Sequence, residues 1–276
     1  MRDKLVSIFR PVYHRLPFLR PYMSFIHKKF LTKKKFSGWG METVHELPWN
    51  DEYDWGEFKK ASIDVKKLYF TKEGAHIDRD NVDELLWRHW ILCYSVRYAI
   101  RFAKTTDYNF VECGVADGCS AFFTLREINS HITIREKCTV HLYDSWNAMR
   151  SDGLSKSEIY HVGKYANLSI DVTKKNLSEF NEKIIYHQGF IPESLHSDPS
   201  SPEFIVYLHI DLNSAKPTID VLNFFLPRLV AGGVIVFDDY AWEGYEDTKK
   251  VIDAYFRDKP GLIMKLPTGQ AIYYHH

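Results

Sequence analysis

Beyond residue 80 the apolar positions of the chain switch repeatedly between two periods. Leu85, Leu86, His89, Leu92, Cys93, Val96, Ala99 and Ile100 recur at the three-and-four spacing of one helix face. Asn81, with Glu84 three residues on, reads as a capping box that starts this helix, which is expected to end near Lys104. Helical spacing returns over 121–128, 170–180, 193–195, 218–226 behind Pro217, and 246–256. Between these stretches lie short apolar runs at 110–111, 140–143, 183–187, 203–210 and 234–237. The run at 203–210 is almost unbroken, as suits a strand covered on both faces. Gly232-Gly233 predicts a turn before the fifth strand. Two further strands, 262–266 and 271–274, flank Pro267-Thr268-Gly269. This alternation predicts an α/β three-layer sandwich. Residues 37–80 show little regularity. Gly38-Trp39-Gly40 and Pro48-Trp49-Asn50 predict loops around aromatic anchors that either cover a ligand cleft or simply pack.

The first strand runs into Phe110-Val111-Glu112-Cys113-Gly114-Val115-Ala116-Asp117-Gly118-Cys119-Ser120. A strand, a glycine turn and a helix start are the parts of a nucleotide-type cradle. Glycines let the backbone approach a ligand closely, and the first helical N–H groups face the turn. The spacing is Glu-x-Gly-x-x-x-Gly, without the Gly-x-Gly-x-x-Gly of a pyrophosphate site. Asp144 closes the second strand 32 residues after Glu112. An acid at that tip reaches a bound ribose, although Asp144 and Ser145 are also good helix caps. Asp211 ends the fourth strand, and Asp238-Asp239 ends the fifth. Open sheets bind ligands beyond the C-terminal strand ends. Three carboxylates meeting there call for a cation, unless caps or lysines satisfy them. All-oxygen ligands suit Mg²⁺, with Ca²⁺ or Mn²⁺ also compatible. His89 lies on the apolar helix face and is expected to be a packed histidine.

Charge and cysteine content narrow the setting. The 276 residues carry no formal net charge, yet residues 1–36 hold ten of the 36 Lys and Arg and one of the 36 Asp and Glu. The remainder, with 26 basic and 35 acidic residues, does not suggest a nucleic-acid-binding surface. The arm is expected to be a poorly ordered or short helical appendage, a peripheral contact with an anionic membrane, or a dock for a partner subunit. Lys28, Lys29, Lys33, Lys34 and Lys35 would serve the membrane role. No apolar run approaches the 18 residues of a membrane span, and no secretory cleavage pattern follows the start. Cys93, Cys113, Cys119 and Cys138 form no Cys-x-x-Cys pair, which points to reduced thiols without a zinc site. The expected organisation is a basic arm at 1–36, a helical and loop cap at 37–104 and a binding domain at 105–276. A cytoplasmic protein is expected, self-associating and peripheral at the inner membrane face where the arm attaches.

Four stretches together carry a resemblance: Val111-Glu112-Cys113-Gly114 through Gly118-Cys119-Ser120, Tyr143-Asp144-Ser145, His209-Ile210-Asp211, and Leu229 through Gly232-Gly233-Val234-Ile235 to Asp238-Asp239-Tyr240. Thr268-Gly269-Gln270-Ala271 agrees with them. Over about residues 105–274 the chain resembles the macrocin O-methyltransferase family, a class I S-adenosylmethionine-dependent group that methylates sugar hydroxyls. The resemblance implies a Rossmann-like sandwich with a seven-stranded, mostly parallel sheet and an antiparallel last strand. It implies that Glu112, Gly114 and Ser120 hold the methionine part of the cofactor, Asp144 and Ser145 the ribose side, and Phe190 the adenine, with Val115 and Gly118 also among the cofactor-binding residues. It also implies Mg²⁺ on Asp211, Asp238 and Asp239, polarising an acceptor hydroxyl. Where the family often has an acid or histidine as general base, this chain has Asn213 and Ser214, and Asn213 accepts no proton at neutral pH. His209, an acid or histidine of the loops at 37–80 or 147–169, or no residue at all is then the base. The alternatives kept open are a catechol-type O-methyltransferase and a catalytically silent scaffold.

Overall fold

The structure is a computed structural model and describes residues 47–71, 82–242 and 244–276. The basic arm, the Trp39 loop and the Asn81 cap lie outside the described residues. The compact unit Pro48–His276 is built on strands β1 (Tyr108–Cys113), β2 (Cys138–Asp144), β3 (Ile184–Gln188), β4 (Ile205–Ile210), β5 (Leu229–Phe237), β6 (Leu262–Lys265) and β7 (Ala271–Tyr274). They form one sheet in the order β3-β2-β1-β4-β5-β7-β6. β1 to β5 are parallel, and β7 runs antiparallel to both β5 and β6. Strand order reverses between β1 and β4, which makes their C-terminal tips the switch point where such sheets bind ligands.

The helices are α1 (Glu52–Asp64), α2 (Leu86–Phe102), α3 (Cys119–Ser130), α4 (Ile170–Asn176), α5 (Glu193–Ser197), α6 (Ala215–Phe225) and α7 (Glu246–Phe256). α1, α2 and α3 pack together, with α2 against β4 and β5. α6 and α7 pack on one another, with α6 against β4. Leu208, Ile210, Ile235 and Phe237 join Val221, Leu222, Phe225 and Ile252 in the core beneath α6 and α7. Burial of each such side chain contributes about 1.5–3 kcal/mol. Strand alternation sends Tyr207 and His209 to the opposite face, toward α2. Among the described residues no helix is long and apolar enough to cross a membrane.

Three sequence expectations change. Residues 52–64, read as irregular, are α1. Asp51 caps it, accepting the Tyr53 and Asp54 N–H groups at 3.0 and 3.3 Å. Its buried residues Trp55, Phe58 and Ala61 recur every third position, and Phe58 meets Phe123 of α3 at 5.1 Å between ring centres. Gly232-Gly233 is not a turn, because β5 passes through it. The partner register jumps there from Ile205↔Leu229 to Tyr207↔Val234, which is a bulge. A Cβ on Gly232 would stand 2.0 Å from the Phe102 carbonyl oxygen, so the glycine admits the end of α2 against the sheet. The helix expected over 170–180 stops at Asn176, and 3₁₀ turns continue over Ser178–Lys183.

Candidate active site

The sheet ladder continues one residue past the strands. The Asp211 N–H donates to the Cys113 carbonyl at 2.8 Å, and the Asp238 N–H to the Ile210 carbonyl at 3.0 Å. This holds the glycine turn, Asp211 and Asp238 at three adjacent tips. Gly114 has φ +88°, and a Cβ there would lie 1.8 Å from the Asp211 carbonyl oxygen. A Cβ on Gly118, at φ +90°, would press on Leu177 at 3.2 Å. The space these glycines leave is filled by protein rather than by a ligand. Their role is to let one strand tip close on its neighbours.

Asp144 fastens the glycine turn. Its Oδ2 accepts the Val115 and Ala116 N–H groups at 2.7 and 2.9 Å, and its Oδ1 accepts the Trp146 N–H at 2.7 Å. Oδ2 thereby uses both of its lone pairs, and Oδ1 keeps one for a further donor. Ser120 Oγ donates to buried Glu112 at 2.5 Å, and Ser145 Oγ to the Asn147 carbonyl at 3.3 Å. Phe190 carries the Arg150 guanidinium 4.0 Å above its ring. Gly114, Val115, Ser120, Asp144, Ser145, Phe190, His209, Asp211, Asn213, Asp238 and Asp239 all line one cavity of about 640 Å³, within the range of small-molecule sites. Glu112 and Gly118 stand behind its wall.

Two of the three aspartates, Asp211 and Asp238, come together with His209, and Asp239 is not in that group. Ligand atoms of His209, Asp211 and Asp238 lie within 4.8 Å of one another. Glu112 and His209 are cross-strand neighbours on β1 and β4. His209 Nδ1 is 3.6 Å from Glu112 and Nε2 is 3.7 Å from Asp238, both beyond hydrogen-bond distance. Burial disfavours the imidazolium, but the Asp238 and Glu112 carboxylates outweigh it and raise the His209 pKa to about 10. Burial and then the charge of Asp238 push Asp211 and Asp239 well above the usual carboxylate range. Asp238 goes the other way: burial is the largest single influence and would raise it, but Arg88, His209 and Gln270 together outweigh burial and lower it.

Arg88 of α2 is the residue that sequence reasoning missed here. It ion-pairs with Asp238 Oδ2, donates to the Asp238 carbonyl at 2.9 Å, and stands 3.9 Å from Asp239 Oδ1. Its only sequence signal is a cation beside the apolar stripe, adjacent to His89. Gln270 Nε2 completes the set, donating to Asp238 Oδ1 at 2.8 Å. His89 is packed, as expected, stacked on Phe123 at 4.5 Å.

Asn213 takes the left-handed conformation, φ +56°. Its Oδ1 accepts the hydroxyls of Tyr165 at 3.3 Å and Tyr245 at 2.5 Å, and its Nδ2 donates to Asp211 at 3.4 Å. Burial, with help from nearby aspartates, raises both phenols, so they remain neutral donors. The loop at 147–169 is fixed above this point by Glu158. That carboxylate accepts the Ser155 N–H at 2.9 Å and the Ala215 N–H, at the start of α6, at 2.8 Å.

This sheet order, with a glycine turn and acids at the switch point, defines a class I methyltransferase fold. Residues 111–240 match the family model described as a methyltransferase domain. The fold is shared with the solved structure of the O-methyltransferase NovP, at TM-score 0.60 and 18% identity over 69% of this chain and 80% of that one. It is also shared with CalS11, calicheamicin methyltransferase, at TM-score 0.53 and 15% identity over 87% and 99% of the two chains. A second structure of CalS11, described as TDP-rhamnose 3'-O-methyltransferase, gives TM-score 0.50 and 13% identity over 84% and 96%. No curated protein matches the sequence.

Proposed function

We propose that this chain transfers a methyl group from S-adenosylmethionine to a hydroxyl oxygen of a sugar or other polyhydroxylated acceptor, in the manner of the macrocin O-methyltransferases. The observation that carries it is one cavity joining the glycine turn and Asp144 to the part-buried acids Asp211 and Asp238 and the buried Asp239. Oxygen as the acceptor atom is further supported by the O-methyltransferase NovP, and a sugar acceptor by CalS11, described as TDP-rhamnose 3'-O-methyltransferase, both of which share the fold.

In this assignment the first two strand tips hold the cofactor and the next two hold the acceptor. The acceptor oxygen, methyl carbon and sulfur are aligned, the oxygen–carbon bond forming as the carbon–sulfur bond breaks. The acid cluster fits a divalent ion. Asp239 Oδ2 is buried without a partner, and two positive groups, Arg88 and His209, face four carboxylates including Glu112. Asp211 and Asp239, with Asp238 beside them, would hold Mg²⁺, which would acidify a coordinated hydroxyl. No dedicated base is assigned. Asn213 has no basic atom at neutral pH, and the carboxylates on either side of His209 favour its protonated form, which makes it a poor base.

Calorimetry on the full chain separates the cofactor classes: S-adenosylmethionine is expected to bind and NAD is not. The reverse result would sink the assignment. The Asp211→Asn variant is expected to bind the cofactor within about threefold of wild type and to lose turnover of sugar acceptors, because the cofactor rests on other tips.

A further inference from the structure

We infer that Arg88 is the resident counter-ion of the acid cluster, committing Asp238 to the protein and leaving Asp211 and Asp239 as the pair that meets a cation. This rests on the divalent-metal part of the proposed function. Arg88 is a positioning residue in this role, and its consequence is a metal affinity deliberately held down.

The two sides of Asp238 are both occupied. Oδ2 faces the Arg88 guanidinium, and Oδ1 accepts from Gln270 Nε2 at 2.8 Å. Arg88 itself is fixed at several points. It donates to the Asp238 carbonyl at 2.9 Å, its guanidinium lies 4.8 Å from the Trp242 ring centre, and its own carbonyl is met by Gln270 Nε2 at 3.4 Å. Its side chain is 11% exposed, so water screens the pair weakly. A forked guanidinium held on both a carboxylate and a carbonyl is hard to displace.

Asp239 contrasts with Asp238. Its Oδ1 is 3.9 Å from Arg88, outside hydrogen-bond distance, and its Oδ2 is buried with no partner. A buried carboxylate oxygen without a donor is costly and is normally explained by an ion, a water or a proton. Asp239 therefore keeps a free ligand oxygen, and Asp211 meets the Asn213 amide at 3.4 Å, whereas Asp238, though near Asp211, is engaged by Arg88 and Gln270. A divalent ion entering the pair of Asp211 and Asp239 meets a fixed positive charge a few ångströms away. Removing that charge while keeping the fold strengthens its binding, since charges at this range interact strongly where water screens them weakly.

Mn²⁺ binding, read by electron paramagnetic resonance on the full chain, tests this without turnover. Two neutral variants, Arg88→Gln and Arg88→Met, are expected to bind Mn²⁺ at least about tenfold tighter than wild type. Arg88→Lys, which retains the charge, is expected to stay within about threefold. Unchanged or weaker binding in either folded neutral variant overturns the inference while leaving the metal reading intact. No Mn²⁺ binding by wild type or any variant overturns both. Should neither neutral variant fold, wild-type nitrogen NMR decides. The Arg88 guanidinium signal is expected to keep its hindered rotation when Mg²⁺ saturates the protein, and its release on Mg²⁺ addition overturns the inference.

Discussion

Single residues at the strand tips are under stronger constraint than their chemistry alone suggests. Gly114 combines φ +88° with a Cβ position 1.8 Å from the Asp211 carbonyl oxygen. Gly114→Ala is expected to destabilise the fold by roughly 3 kcal/mol or more, since both the backbone conformation and the tip contact are lost. Urea unfolding checks this, and a loss below about 1 kcal/mol would show that the tips separate easily. Asn213 is different, because its conformation is one that Asp also tolerates. Asn213→Asp keeps an acceptor for Tyr165 and Tyr245 but turns the donation to Asp211 into repulsion. A folded protein is expected, with a thermal midpoint lowered by a few degrees at neutral pH and restored in part by added Mg²⁺. A midpoint unchanged without metal would mean that Asn213 and Asp211 are not coupled. Arg88 could not be foreseen at this scale: it lies 150 residues before Asp238, and nothing in a local window says which strand tip a helix side chain will meet.

Elements were legible where the pattern was local and continuous. β4 is buried at every position, and its apolar run announced that directly. The acids after β2, β4 and β5 stood out because each interrupts such a run at its end. α1 was obscured because residues 37–80 show little regularity, with Pro48-Trp49-Asn50 just before it reading as a loop, while Asp51 and the every-third-residue apolar spacing were the better signal. Gly232-Gly233 reads as a turn in isolation. It becomes a bulge only because the end of α2 needs that space, a tertiary reason no window contains. The loop at 147–169 had no periodicity to read, yet Glu158 staples it to α6. Glu158→Gln can accept only one of the two N–H groups and points an NH₂ at the other. Hydrogen exchange is expected to speed up over residues 150–165 while β1 and β4 stay protected. Uniform exchange across the loop and the core would show that the staple holds the whole fold rather than the loop.

For the molecule as a whole, a buried polar chain crosses the sheet on the side of β2 and β3. Asp198 accepts from His187 Nδ1 at 2.8 Å, His187 Nε2 meets His141 Nδ1 at 3.0 Å, and His141 Nε2 meets Asn109 at 3.4 Å. Both nitrogens of each ring are engaged, which suits neutral imidazoles with fixed tautomers. Burial lowers His141 to about 4, with the neighbouring His187 adding to the effect. Burial also lowers His187, against the attraction of Asp198. In the unfolded chain both rings titrate near 6.5. Above that value neither state binds the proton and the pair has no effect on stability. As pH falls below it, the unfolded state takes up protons that the native state refuses, so stability declines until His141 titrates near 4 in the fold as well. For His141 alone the decline amounts to about 3 kcal/mol across that window. His209 carries the opposite sign but contributes equally to any two proteins that share it. The difference between wild type and His141→Asn, by urea unfolding from pH 7.5 to 4.5, isolates the effect. Wild type is expected to lose stability more steeply below pH 6.5, by about 1 kcal/mol per pH unit. Parallel profiles would mean that His141 charges freely within the fold and that the chain of rings does not constrain it.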